Sequence, residues 1–113
     1  MGYYTKFTLE WAVGGAGADQ EAVRQDVAKW IRGNEEAHYA LNDDGTFFES
    51  AKWYDWQTDL RELSVLMPNV WFVLHGYGEE SGDIWRGYAK AGKVEKVKAE
   101  LKFKVPGFFK LKH

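Results

Sequence analysis

Apolar and polar positions alternate at the beginning of the chain and again towards its end. The segment 3–11 is mostly polar on one side, and its other side carries Tyr3, Thr5, Phe7, Leu9 and Trp11. Alternation over this length predicts a half-buried β-strand. Strand-like patterns at 84–90 and 94–103 flank Ala91-Gly92, so we expect a hairpin there.

Two other segments repeat their apolar residues at the spacing of a helix. In the first, Asp19 is a good N-cap, Gly33 can end the helix, and the apolar stripe consists of Val23, Val27, Trp30 and Ile31. In the second, Asp55 offers an N-cap before a stripe of Trp56, Leu60, Leu63 and Met67. Pro68 disfavours helical geometry at the preceding residue and ends this run. Two amphipathic helices on one core are predicted.

The remaining apolar runs also have strand character. Residues 37–41 and 46–53 flank Asn42-Asp43-Asp44-Gly45, whose side chains favour a turn, and this predicts a β-hairpin. Residues 69–75 are apolar on both faces, as expected of a central strand. One face of that strand carries Val70, Phe72 and Leu74, and the other carries Trp71, Val73 and His75.

These elements follow the order β-α-β-β-α-β-β-β. That order predicts an α+β fold in which a mostly antiparallel sheet has both helices on one face, related to the ferredoxin-like plan but with an added C-terminal hairpin. No repeat or linker divides the chain, so residues 1–113 are predicted to form a single domain, with 107–113 as a loosely ordered tail. We expect Phe108-Phe109 to fold back onto that domain.

Composition and charge narrow the class of protein. Aromatic residues make up 17% of the chain, more than a small core needs, so some rings are expected on the surface. The absence of cysteine excludes disulfides and thiolate zinc sites. The sequence also has no signal peptide pattern and no apolar run long enough to span a membrane, so we expect the protein in the cytoplasm. The net charge is −2, but residues 93–113 hold seven lysines against two glutamates. This basic segment is either an interaction surface or the solvent face of a strand.

The segment 52–92 resembles a group of small tailed-phage and prophage proteins. The shared pattern is a Trp-Tyr pair, a short acidic helix ending in Leu-Ser, a proline, an apolar strand, and then Gly-x-Gly-Glu-Glu-x-Gly-Asp-x-Trp with a tyrosine three positions later. The matching residues here are Trp53, Tyr54, Asp59, Leu63, Ser64, Pro68, Phe72, Leu74, Gly76, Gly78, Glu79, Glu80, Gly82, Asp83, Trp85 and Tyr88. The resemblance implies a phage gene product that acts in the cytoplasm of a bacterial host, and it implies no catalytic residues.

The loop of residues 75–85, HGYGEESGDIW, concentrates acids, glycines and aromatics. Its acids offer oxygen ligands suited to Mg²⁺ or Ca²⁺, but the calcium-loop pattern is absent, and neither a metal nor a cofactor is predicted. We expect the glycines to let the chain reverse and His75 to be a hydrogen-bonded structural residue rather than a base. A small enzyme or metal protein that uses the 75–83 loop stays open as an alternative.

The surplus of aromatic residues favours binding over catalysis, because exposed Trp and Tyr are enriched at binding hot spots. The predicted function is a non-catalytic phage protein that engages a bacterial host protein in host takeover or counter-defence, as a monomer or a homodimer. The predicted partner-binding residues are Tyr77, Glu79, Glu80, Asp83 and Trp85. An acidic face with embedded rings suits a basic partner.

Single-stranded nucleic acid is the other alternative. In the last strand, one face carries Val97, Ala99, Leu101 and Phe103, and the other carries Lys96, Lys98, Lys102 and Lys104. If rings such as Trp71 or Tyr88 shared the lysine face, bases could stack between cations. The net acidic charge and the absence of an RNA-binding sequence motif count against this alternative.

Overall fold

Four antiparallel strands, in the order β1-β2-β3-β4, form one sheet. The computed structural model of the protein describes residues 3–15 and 19–99. In chain order its elements are β1 (Thr5–Val13), α1 (Gln20–Gly33), α2 (Ala37–Ala40), α3 (Trp56–Leu66), β2 (Val70–Gly78), β3 (Ile84–Lys90) and β4 (Lys93–Lys98). The predicted α+β class and the antiparallel sheet are confirmed.

The two long helices form as their sequences predict. The Asp19 carboxylate accepts a hydrogen bond of 3.0 Å from the Ala22 N–H, and α1 buries Val27 and Ile31. Helix α3 begins after Asp55 and ends at Leu66, before Pro68, although the Asp55 side chain makes no capping hydrogen bond. Both helices contribute to one core with the sheet, so its opposite face is left open.

The predicted hairpin at 37–53 is wrong. Residues 37–40 form the short helix α2 instead, because the Asn34 side chain accepts hydrogen bonds from two backbone N–H groups at its start and Ala37 and Ala40 are buried. The predicted turn is present, with Gly45 at φ +86°, but only the isolated bridge between Leu41 and Phe47 flanks it. The observed order is therefore β-α-α-α-β-β-β, and the relation to the ferredoxin-like plan is not confirmed.

The segment 45–51 instead protects the outer edge of β1. The Gly45 carbonyl accepts a hydrogen bond of 2.7 Å from the Leu9 N–H. Thr5 and Ala51 exchange two backbone hydrogen bonds of 2.9 and 3.0 Å. These contacts occupy the outer edge of β1 at Thr5 and Leu9, and covering of this kind hinders edge-to-edge pairing with another chain.

The closing hairpin is confirmed within the described residues. Its turn has Ala91 at φ +49° and Gly92 at φ +87°, and the Gly92 N–H donates to the hydroxyl of the buried Ser64 at 2.8 Å. This hydrogen bond fixes α3 against the turn. Strand β4 extends to Lys98, and the Ala99 N–H still donates to the Ile84 carbonyl at 2.8 Å. Residues 100–103 of the predicted strand and Phe108-Phe109 lie outside the described residues. No described helix is long and apolar enough to cross a membrane.

Stacked aromatic rings fill the core between α3 and the sheet. Trp85 stacks on Trp56 with ring centroids 4.4 Å apart, and its edge approaches Phe7. Two glycines make room for these rings, since a β-carbon at Gly76 would overlap the Trp85 ring and one at Gly87 would overlap Trp56. The helix-covered face of the sheet is therefore densely packed with aromatic side chains.

Candidate functional site

The open face of the sheet carries three solvent-exposed rings on its two central strands. Trp71 is 55% exposed and Tyr77 is 47% exposed on β2, and Tyr88 is 39% exposed on β3. Val73 pairs directly with Tyr88, so Tyr88 is a diagonal neighbour of Trp71. We call Trp71, Tyr77 and Tyr88 the ring cluster.

Strand register decides which charges surround the ring cluster. Side chains alternate between the two faces, and directly paired residues share a face. The charged side chains that share the open face are Lys6, Glu10, Arg86, Lys90, Lys93 and Glu95. Four cations against two carboxylates make this face net positive, although the whole chain has a net charge of −2. The exposed rings therefore lie on a face with a net positive charge, and not on the acidic surface that the sequence predicted.

Two lysines lie side by side at one end of this face. Lys90 and Lys93 are directly paired across the hairpin, and the Lys90 ammonium lies 4.5 Å from the centroid of the Trp71 ring. Within residues 3–15 and 19–99, no carboxylate oxygen lies within 4.0 Å of either ammonium nitrogen. We call Lys90 and Lys93 the lysine pair.

A shallow groove joins the lysine pair to the rings. Its volume is about 550 Å³, and its walls include the side chains of Trp71, Val73, Tyr88, Lys90, Lys93 and Glu95. A second hollow of about 320 Å³ lies at the other end of the same face, between Tyr77 and Tyr88. The open face thus offers apolar concavities with polar walls, which is the usual chemistry of a binding surface.

His75 lies on the open face and lines the second hollow. Its Nε2 is shielded from solvent and makes no hydrogen bond among the described residues. The Glu10 carboxylate oxygen is 3.1 Å away but out of line for a hydrogen bond. The expectation that His75 is hydrogen-bonded is therefore wrong for its Nε2 atom.

The acids of the 75–85 loop serve mainly to attach the beginning of the chain. The Tyr3 hydroxyl donates to Asp83 at 2.7 Å and accepts from the Glu80 N–H at 2.9 Å. The Glu79 carboxylate accepts from the Tyr4 N–H at 2.9 Å. Gly82 takes φ +88° in the turn, as expected of a residue that lets the chain reverse, whereas Gly76 and Gly78 lie within β2. Two of the three acids are thus engaged by the segment before β1.

These contacts change the acidity of the Tyr3 hydroxyl. The hydrogen bond from the Glu80 backbone lowers its pKa, but desolvation together with the hydrogen bond and negative charge of Asp83 outweighs that effect. The pKa of Tyr3 is therefore raised. No group of three or more His, Asp or Glu side chains that could hold a metal ion occurs in the described part of the chain.

The predicted partner-binding residues do not form one surface. Trp85 is only 5% exposed and packs in the core, so the expectation that it is accessible is wrong. It points to the helix-covered face because it pairs with Gly76, whose missing side chain leaves space for the ring. Tyr77 lies on the opposite, open face, and Glu79, Glu80 and Asp83 lie in the connection between β2 and β3. Of the five, Tyr77 alone belongs to the ring cluster.

The lysines of the nucleic-acid alternative are also placed differently. Lys96 pairs with Gly87 on the helix-covered side, and its ammonium lies 5.3 Å from the Trp85 ring centroid. Lys98 pairs with Trp85 and shares that side, so neither lysine lies on the face that carries Trp71 and Tyr88. The other two lysines, Lys102 and Lys104, lie outside the described residues.

Sequence reasoning missed Arg86, Lys90 and Lys93 as site residues. The alternation of β3 places Arg86, Tyr88 and Lys90 on one face, and this signal was available in the sequence. The register that adds Lys93 and Trp71 to the same surface required the paired strands.

Comparison with protein-family models, with curated proteins and with solved structures gives no match.

Proposed function

We propose that this protein is a non-catalytic binding protein that engages a bacterial protein through the open face of its sheet. The observation that carries the proposal is the ring cluster, in which Trp71, Tyr77 and Tyr88 are exposed together on two adjacent central strands. The described helices pack on the other face and leave these rings uncovered. Exposed rings on one face offer apolar area that a partner can bury, and exposed apolar area of this kind marks interaction sites.

The residue types on this face suit protein recognition. Trp, Tyr and Arg are the residues most enriched at binding hot spots, because they bury a large area while keeping a polar end. Arg86 lies between the rings, and its guanidinium is 3.5 Å from the Tyr88 hydroxyl. Truncation of a central hot-spot ring commonly costs about 2 kcal/mol or more in binding free energy.

The resemblance of residues 52–92 to phage proteins supplies the biological setting of the proposal. A phage gene product would meet its partner in the cytoplasm of the bacterial host and would act by occupying a host protein in host takeover or counter-defence. Several residues of the shared pattern, including Gly76, Gly78, Ser64 and Trp85, have structural roles in this fold. The resemblance therefore supports a shared fold, and we propose that the open face determines which partner is bound.

Affinity capture from bacterial lysate tests the proposal. The bait is the tagged chain, compared with the Trp71→Ser/Tyr88→Ser double variant and with a matched Tyr39→Ser/Phe48→Ser variant. Tyr39 and Phe48 are each 56% exposed but lie outside the sheet, so their loss controls for general stickiness of surface rings.

We expect mass spectrometry to show a protein that is captured by the wild type and by the control but is depleted at least tenfold with the ring variant. Circular dichroism should show that all three baits are folded. Equal capture of every enriched protein by the ring variant would contradict the proposal.

Single-stranded nucleic acid is a second candidate, and one observation favours it. The open face carries rings and cations together, as base-stacking platforms do, although the cations are Arg86, Lys90 and Lys93 rather than the predicted lysines. A labelled oligothymidylate should then bind at low salt and lose affinity steeply as salt is added. Unmeasurable affinity at low salt would remove this candidate.

A further inference from the structure

We infer that the groove beside Trp71 binds an acidic segment of a partner protein, whose carboxylates lie at the lysine pair. This inference rests on the proposed function and adds the chemistry of the partner. The first step is the cross-strand pairing of Lys90 with Lys93. Like charges directly opposite each other in a sheet are destabilising, and a bound anion would relieve their repulsion.

The second step is the lack of a counter-ion in the described structure. No carboxylate oxygen of residues 3–15 and 19–99 comes within 4.0 Å of either ammonium nitrogen. The turn between the two lysines is held by the hydrogen bond from Gly92 to Ser64, so their backbones are fixed relative to each other. The pair is thus a positive site whose backbone is already in place before an incoming carboxylate binds.

The third step is the apolar surface that adjoins the charge. The Lys90 ammonium lies over the Trp71 ring at 4.5 Å, and Tyr88 and Val73 continue the same groove. A ligand that fills this groove needs a negative group and an apolar side chain close together. An acidic peptide segment that also carries aromatic or aliphatic residues has that composition.

The fourth step compares an acidic protein segment with a nucleic-acid strand as the ligand of the groove. The cations that line this groove are the lysine pair, and Glu95 lies two residues further along β4 on the same wall. A nucleic-acid strand needs basic groups that follow its backbone over several nucleotides, whereas the cations of this groove lie together at one end. The groove therefore favours a short acidic protein segment.

Peptide titrations followed by two-dimensional ¹H–¹⁵N NMR test this inference on the full chain. The probe is a capped hexapeptide of four glutamates and two phenylalanines, and its control has glutamine in place of every glutamate. We expect the acidic peptide to shift the Trp71 indole N–H signal and the Lys90 and Lys93 amides. The glutamine peptide should bind about tenfold more weakly, since two surface ion pairs are lost.

Charge variants complete the test. Lys90→Glu/Lys93→Glu and the milder Lys90→Gln/Lys93→Gln should both abolish the preference for the acidic peptide, whereas Lys29→Glu on the exposed side of α1 should retain it. Equal affinity for the two peptides, no shift at Trp71, or tighter binding of oligothymidylate would overturn the inference. Lysate capture that depends on the rings but not on the lysine pair would overturn this inference alone. Capture that is independent of the rings would overturn the proposed function as well.

Discussion

At the scale of single residues, small side chains determine where the large ones lie. The rings of Trp85 and Trp56 occupy the space above Gly76 and Gly87, so Trp85 is a core residue although it stands beside an acidic loop in the sequence. The sequence indicated a surplus of rings correctly, but it could not show which rings are buried, because that depends on the glycine opposite each one. For this reason both Trp85 and Tyr77 were predicted to be accessible, but of these two rings only Tyr77 is exposed.

Substitution of Gly76 by alanine tests this packing. The added methyl group would overlap the Trp85 ring, which is held between Trp56 and Phe7, and we expect it to lower the free energy of unfolding by about 1–3 kcal/mol. Gly33→Ala is the matched control, because nothing lies within 4 Å of a β-carbon there, and it should be neutral or stabilising by about 0.5 kcal/mol. Urea unfolding of the two variants measures both values, and equal stabilities would refute this account of the core.

The Tyr3 hydroxyl gives a pH-dependent prediction. Its pKa is raised in the folded chain, so the folded state holds this proton more tightly than the unfolded state does. The resulting stabilisation is present below the unfolded pKa, near 10, and is lost as pH rises through the folded value. Melting temperatures of the wild type and Tyr3→Phe measured at pH 8 to 11 should therefore converge at the alkaline end. A constant difference across that range would show that titration of Tyr3 is not linked to folding.

At the scale of secondary-structure elements, sequence patterns succeeded where the local signals agreed. Helices α1 and α3, the strand alternation in β1 and the turn at Ala91-Gly92 all combine an apolar repeat with a suitable end or turn residue. In the segment 37–53, the turn at Gly45 was predicted correctly, but neither flank forms a hairpin strand. The first flank is the short helix α2, whose first N–H bonds to the Asn34 side chain, and the second lies along β1 without extended pairing. The hydrogen bonds to Asn34 favour a helix at 37–40, and tertiary contacts with β1 override local preference at 45–51, where no sequence pattern reports such contacts.

The two long helices offer a direct comparison of capping residues. Asp19 accepts a hydrogen bond from the Ala22 N–H, whereas Asp55 makes no side-chain capping hydrogen bond although it occupies the same position before α3. We expect Asp19→Ala to destabilise the fold by about 1 kcal/mol and Asp55→Ala to have a much smaller effect. Thermal unfolding followed by circular dichroism measures both variants. A larger loss for Asp55→Ala would contradict the assigned caps.

At the scale of the whole molecule, the fold separates two chemically different faces. One face of the sheet is buried under the helices. The open face carries the ring cluster, and lysine and arginine outnumber glutamate among its charged side chains. The sequence predicted an acidic contact surface because acids and rings are neighbours along the chain. In the structure, register places the exposed rings on the same face as Lys90, Lys93 and Arg86 instead, and we therefore propose an acidic rather than a basic partner surface.

The central claim is that the open face is the contact surface, and isothermal titration of the captured bacterial protein with purified variants tests it most directly. Trp71→Ser should weaken binding at least tenfold, because the substitution removes the most exposed ring of the cluster, while Tyr39→Ser should leave the affinity unchanged. Equal dissociation constants for the wild type and Trp71→Ser would contradict the account.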